Sequence, residues 1–219
     1  MLSAAPKPNH WQRETEFMLD VSGLVEKGLV TEPESAKGRL IKAAGQLFKE
    51  KGYGRTTVRD LAAEVGILSG SLFHHFPNKE AILRTVVEEG IRRVVAGMEA
   101  SLQGVDDLPM RLRILIRCEL ASIHGDKNPG FQLLVPEWRS LSPQSQAPIL
   151  ELRQAYEGMW RSVLDALYSQ GLTTVEGNFM RHFIRGSLIE SHNWYRPQGE
   201  LTLDDVEEKL FQVVLHPRD

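Results

Sequence analysis

Cysteine is almost missing from this sequence: Cys118 is the single one among 219 residues. One thiol excludes an intrachain disulfide framework and any zinc site built from several cysteines. Long apolar runs are missing too. None reaches the roughly 18 residues that a membrane-spanning helix requires. The opening stretch, Met1 to Asn9, lacks the apolar core of a secretory signal, and a cytoplasmic protein is the expectation. No segment shows sustained period-two alternation closed by hairpin turns, so strands are not expected. Catalytic signatures are equally scarce: there is no Gly-x-Ser-x-Gly, no His-Glu-x-x-His and no Walker-type phosphate loop. No enzyme activity, cofactor or metal is expected. What is present suffices for a core, since 42% of the residues are hydrophobic and 25% charged, the composition of an ordinary globular chain.

The net charge of −3 conceals an asymmetry. Between Ala36 and Arg84 stand nine bases (Lys37, Arg39, Lys42, Lys49, Lys51, Arg55, Arg59, Lys79, Arg84) and four acids (Glu50, Asp60, Glu64, Glu80). That segment carries +5, which leaves −8 for the rest. A basic module on an acidic body fits an encounter with a polyanion, or a chance excess on a solvated face.

Helical periodicity fills the chain from Ser35 onward. Leu40, Ile41, Ala44, Leu47 and Phe48 recur at spacings of three and four, the mark of one apolar helix face. Gly52 and Gly54 end that helix, and Thr57 with Asp60 forms a capping-box pattern for the next. A helix is predicted over Lys79–Leu102 and another over Leu108–His124. A short one is predicted near Phe131–Trp138, and three more follow around Leu152–Leu167, Val175–Ile189 and Leu203–Val213, with breaks carrying Gly or Pro, Pro143 and Pro148 among them. Residues 1–34 fit an arm or one short helix over Phe17–Val30.

The stretch from Val58 to Phe76 has the logic of a helix-turn-helix. Two short helices that cross steeply need a small residue at their contact, and Ala62 supplies it. They need a residue tolerant of positive φ at the turn, which Gly66 supplies. Ile67 and Leu72 are apolar anchors for the second helix, and Ser69, Gly70, Ser71, His74 and His75 are left to face outward. Short polar side chains let a helix sit deep in a major groove.

Residues 39–84, from Arg-Leu-Ile-Lys-Ala-Ala-Gly-Gln-Leu-Phe through Thr-Thr-Val-Arg-Asp-Leu-Ala to His-His-Phe-Pro-Asn-Lys-Glu, resemble the DNA-binding domain of the tetracycline-repressor family. The resemblance implies an all-α protein in three parts. Residues 1–34 are an N-terminal extension, residues 35–82 a three-helix DNA-binding domain, and residues 83–219 a helical bundle that binds a small effector and dimerises through its last two long helices. It implies that Thr57, His75 and Lys79 grip phosphates, with Arg55 beside them, and that Ser69, Gly70, Ser71 and His74 meet bases or backbone. Two positions depart from the family pattern. Phe73 stands where a tyrosine hydroxyl commonly bonds a phosphate. Leu68 stands where a serine is common, so capping falls to Ser69 with a shifted start, and Leu68 is free to touch a thymine methyl.

In the C-terminal half, Met98, Leu115, Phe131, Leu134, Trp138, Tyr156, Met159, Trp160 and Phe183 are large apolar residues suited to a core. Together they are also suited to an adaptable effector pocket. The stretch Asn193-Trp-Tyr-Arg-Pro-Gln-Gly-Glu-Leu201 resembles regulators of fatty-acid, steroid and acyl-CoA catabolism, which implies an apolar or acyl-CoA-like effector. Arg111, Arg113 and Arg117 suit a phosphate-bearing ligand or a solvated face. Cys118 and His124 share no helix face and suit packing and surface roles. The expected partners are operator DNA, a small effector and a second copy of the chain. An architectural DNA-binding protein without effector and a helical enzyme are the alternatives.

Overall fold

The computed structural model describes residues 22–125 and 128–216. Residues 1–21, most of the predicted N-terminal extension, lie outside the described residues. All regular structure among the described residues is helical: α1 (Ser22–Glu26), α2 (Ala36–Lys51), α3 (Val58–Glu64), α4 (Ser69–Leu72), α5 (Lys79–Leu102), α6 (Leu108–His124), α7 (Pro129–Leu133), a 3-10 turn (Trp138–Ser140), α8 (Pro143–Ser169), α9 (Gly177–Trp194) and α10 (Leu203–Val214). The bounds of α5 and α6 are those predicted from periodicity. The segment near Phe131–Trp138 is a five-residue helix followed by the 3-10 turn. Pro148, expected to break the chain, lies inside α8. It stands in the second turn, where its missing N–H deprives only the Gln144 carbonyl of a partner and the helix continues.

The chain divides into two compact units. One contains α1 to α4, α5 as far as Val95, and the stretch from Asn128 to Tyr156. Its core begins with the predicted stripe: Leu40, Ala44 and Phe48 are almost fully buried, with Ile41 and Leu47 beside them. Ser35 caps α2 by accepting from the Gly38 N–H at 2.9 Å, and Gly52 ends it at φ 82°. α2 packs on α3 and on α7. α5 and α7 cross in close contact. A methyl on Gly130 would overlap the Val86 carbonyl, and one on Gly90 would overlap the Phe131 N–H. Glycine is required at both positions for the backbones to meet. The Asn128 side chain fastens the crossing by donating to the Gly90 carbonyl at 3.0 Å.

The other unit holds Ala96–Gly125 and the chain from Glu157 on. α9 and α10 both pack on α6. Its core includes Met98, Leu112, Leu115, Ile116, Trp160, Val163, Ile184 and Leu188, all inaccessible to solvent. Two ionic clusters tie its helices. Glu207 of α10, almost fully buried, takes Arg113 at 2.7 Å and Arg117 at 3.0 Å. Arg113 also meets Glu208 at 2.7 Å and lies 3.6 Å over the Phe211 ring. Arg181 of α9 reaches Glu119 at 3.1 Å and Glu157 at 2.7 Å. α10 starts on a capping box in which Thr202 and Asp205 bond reciprocally, and those bonds hold the Asp205 carboxyl below the usual range.

Candidate DNA interface

The recognition surface is built by the turn between α3 and α4. Thr57 Oγ1 accepts from the Asp60 N–H at 3.1 Å, and Asp60 Oδ2 accepts from the Thr57 N–H at 2.7 Å. This is the predicted capping box. The Thr57 N–H and then its hydroxyl, both donating to the carboxylate, hold Asp60 below its ordinary pKa. Seven residues later α3 stops. Gly66 turns at φ 71°, its N–H donates to the Ala63 carbonyl at 3.2 Å, and the Ile67 N–H donates to the Ala62 carbonyl at 2.9 Å. That pair of bonds is a Schellman ending. Ala62 is buried at the contact, and Leu72 and Phe76 anchor the second helix in the core. Ile67 is half-buried.

The tight ending leaves no room for a shifted start. α4 begins at Ser69, with Leu68 in the cap position and no side-chain cap bond. The expectation that Ser69 would cap is therefore corrected: the three residues Val65, Gly66 and Ile67 complete the turn, and Leu68 falls where the cap must be. His74, His75 and Gly70 are exposed, and Ser69 and Ser71 are half-exposed. Leu68 is 81% exposed and Phe73 53%. A polar surface with two apolar points on it is thus offered by one short helix in the basic part of the chain.

The residues expected to grip phosphates make bonds within the chain. Lys79 donates to the carbonyls of Tyr53 and Thr56, each at 2.8 Å, and its ammonium lies 4.1 Å from the Tyr53 ring centroid. An ammonium has three donors, so one is left beyond these two. Lys79 fastens the α2–α3 connection to the start of α5. Arg55 Nε donates to the Lys51 carbonyl at 2.6 Å. The Thr57 hydroxyl donates to Asp60 at 2.7 Å.

Sequence reasoning missed a set of bonds between this surface and residues far along the chain. The Tyr53 N–H donates to Glu137 Oε1 at 3.0 Å. The Ser142 N–H donates to Glu80 at 2.8 Å, and the bonds from Ser142 and Ser145 lower the Glu80 pKa. The Thr31 N–H donates to Glu89 at 2.9 Å. Pairings across 58 to 84 positions leave no periodic signal.

The residues expected around an effector fall in both units. Met98, Leu115 and Trp160 are fully buried in the α6–α9–α10 unit, with Met159 half-buried. Phe183 is 46% exposed, on a stripe with Phe179 at 67%. In the unit of the helix-turn-helix, the Phe131 and Tyr156 rings lie 5.8 Å apart, and Leu134 and Trp138 are half-buried. Trp160 Nε1 is buried with no hydrogen-bond partner among the described residues, and the Arg181 guanidinium lies 4.4 Å over its ring. Arg181 was not singled out in the sequence, because a lone arginine in an amphipathic helix reads as surface. The arginines that were singled out have other partners: Arg111 donates to the Val105 carbonyl at 2.9 Å, and Arg113 and Arg117 hold Glu207.

A helix-turn-helix with an exposed polar recognition helix, carried on a basic segment of an all-helical chain, defines a DNA-binding regulator. The comparisons agree. The model for the bacterial regulatory proteins of the tetR family matches residues 40–86, and that for the tetracyclin repressor-like C-terminal domain matches residues 106–217. The transcriptional repressor KstR2 of Mycobacterium tuberculosis is 32% identical over 187 residues, 83% of this chain and 92% of that protein. The solved structure of this ketosteroid regulator has a TM-score of 0.73 at 26% identity, covering 86% of this chain and 99% of that one. A crystal structure of a protein described as superantigen pfit has a TM-score of 0.77 at 42% identity, covering 94% and 99%. AibR in complex with isovaleryl coenzyme A and operator DNA has a TM-score of 0.78 at 19% identity over 84% and 100%, a likeness of fold alone. This chain belongs to the tetracycline-repressor family of transcription regulators.

Proposed function

We propose that this regulator is a repressor that binds palindromic operator DNA as a homodimer and leaves it when a small apolar or acyl-CoA-like effector binds. The observation that carries the reading is the face of α4, where Ser69, Gly70, Ser71, His74 and His75 stand at the surface while Leu72 and Phe76 anchor the helix from behind. Ser69, Ser71 and His74 read bases. Thr57, His75, Arg55 and the remaining donor of Lys79 meet phosphates. Two such helices about 34 Å apart read two half-sites on one side of a duplex.

The second copy is argued from α9. Phe179, Phe183 and Trp194 are about half-exposed or more. They share a stripe with Gly186, where an added methyl would meet nothing among the described residues. A glycine inside a helix costs about 1 kcal/mol relative to alanine, and no contact among the described residues requires it. Close approach of a partner helix does, and α9 and α10 of two copies form the four-helix contact.

The effector class rests on the buried apolar residues Met98, Leu115 and Trp160 and on the kinship with KstR2, named as a ketosteroid regulator. AibR holds isovaleryl coenzyme A on the same fold. The effector acts through α5, which runs on from the recognition unit. Linkage requires that an effector which releases DNA bind more weakly when DNA is present, by a coupling of about 1–3 kcal/mol. The test is to select an operator from a random duplex pool and titrate acyl-CoA and steroid ligands into protein with and without it. Equal affinities in the two titrations would rule out that ligand as the inducer.

A further inference from the structure

The Leu68 carbonyl accepts from the Ser71 N–H at 2.9 Å, while its side chain makes no cap bond. At 81% exposure it is the most accessible of the large apolar side chains among the described residues. It occupies the N-cap of α4 at φ −71° and ψ 143°, and its side chain makes no cap bond. Serine, threonine, aspartate or asparagine there would stabilise the helix by capping. The chain forgoes that contribution and puts an apolar group in water instead. Ser69, Gly70 and Ser71, which follow it, are small, and an added methyl on Gly70 would meet nothing among the described residues within 4 Å. The surface around Leu68 is therefore low enough for a groove floor to come close.

We infer that Leu68 is a specificity-determining residue that selects operators carrying a thymine at one position of each half-site, by packing on the thymine C5-methyl group. The inference rests on the reading of α4 as the helix that enters the major groove. A leucine side chain has no donor or acceptor, so it cannot read the hydrogen-bonding edges by which bases are otherwise told apart. The major groove presents one apolar group, the thymine methyl. Residues at the start of a recognition helix are those that reach base edges, and Leu68 immediately precedes Ser69, the first residue of α4.

The experiment uses the full-length protein and duplexes selected from a random pool of unmodified bases. Each thymine of the selected half-site is then replaced in turn by deoxyuridine, which keeps the base pair and removes only the methyl. One position is expected to lose about fourfold in affinity per half-site, the worth of one buried methyl group, and about fifteenfold when both half-sites are changed. Leu68→Ala is expected to bind the thymine and deoxyuridine duplexes alike. Leu68 is exposed and makes no cap bond, so the variant folds as the parent does, and an unchanged melting temperature checks this. If no deoxyuridine substitution matters, or if Leu68→Ala still discriminates, the inference is overturned while the reading of α4 stands. If the pool yields no enriched duplex, the reading of α4 falls, and the inference with it.

Discussion

His124 illustrates how much a single side chain can carry that its sequence position conceals. At the end of α6 it looked like a surface histidine; in the structure its Nε2 lies 2.7 Å from Ser191 Oγ, and its ring packs edge-on to Tyr195. The Ser191 hydroxyl donates its proton to the Leu188 carbonyl at 2.5 Å, so the imidazole is the donor in the other bond. Burial, and then the neighbouring His192, push the His124 pKa down to about 4. In the unfolded chain an ordinary histidine takes its proton near pH 6.5. The unfolded state therefore binds the proton first, and stability falls as pH drops from about 6.5 towards about 4. Urea midpoints across that window should decline for the parent and decline less for His124→Gln; parallel curves would remove His124 as the cause. Lys79 is the second case. Its position suggests a phosphate contact, whereas its two carbonyl bonds suggest a fastener. Lys79→Met should cost about 1.5–3 kcal/mol of stability, the worth of charged hydrogen bonds, and should also weaken binding to all duplexes alike. A variant with normal urea stability and weakened binding would leave only the phosphate role.

Helices whose apolar stripe runs uninterrupted between recognisable caps were legible in the sequence. α2, α3, α5, α6 and α10 are of this kind, and Gly66 was found from the needs of the turn alone. Legibility fails where tertiary contact overrides local preference. The segment from Asn128 to Ser142 is shaped by the glycine crossing with α5 and by Glu137 reaching Tyr53, neither of which is written in its periodicity. The residues exposed on α4 could be named because the helix-turn-helix puts them at fixed offsets. The residues named for an effector pocket have no such offsets behind them, since any buried Met or Trp has the same pattern whether it lines a core or a pocket. The crossing offers a direct test of an element's role. Gly130→Ala would drive a methyl into the Val86 carbonyl and is expected to cost about 3 kcal/mol, read as a lowered urea midpoint. Gly54→Ala, where an added methyl meets nothing, is expected to change little. Equal effects of the two would mean that α5 and α7 do not cross closely in solution.

For the whole molecule, the proposed dimer contact on the exposed stripe of α9 can be tested directly. Phe179→Glu combined with Phe183→Glu should turn a dimer into a monomer at micromolar concentration in sedimentation, and should weaken operator binding far more than single-site contacts. A monomeric parent would contradict the interface. Operator affinity should fall steeply and log-linearly with salt as phosphate contacts release counterions, and a flat profile would argue against the basic surface as the contact. The way residues 128–156 belong with the helix-turn-helix bears on how such regulators can be recombined. A sensor built by joining the first 95 residues of this chain to a foreign effector body would lack the loop that supplies Glu137 to Tyr53 and Ser142 to Glu80. It would also lack Pro129, which packs against Gly45. Grafts that carry this loop across with the reading head should express and bind DNA, and grafts cut after the first segment alone should yield an unstable head whatever body they are given.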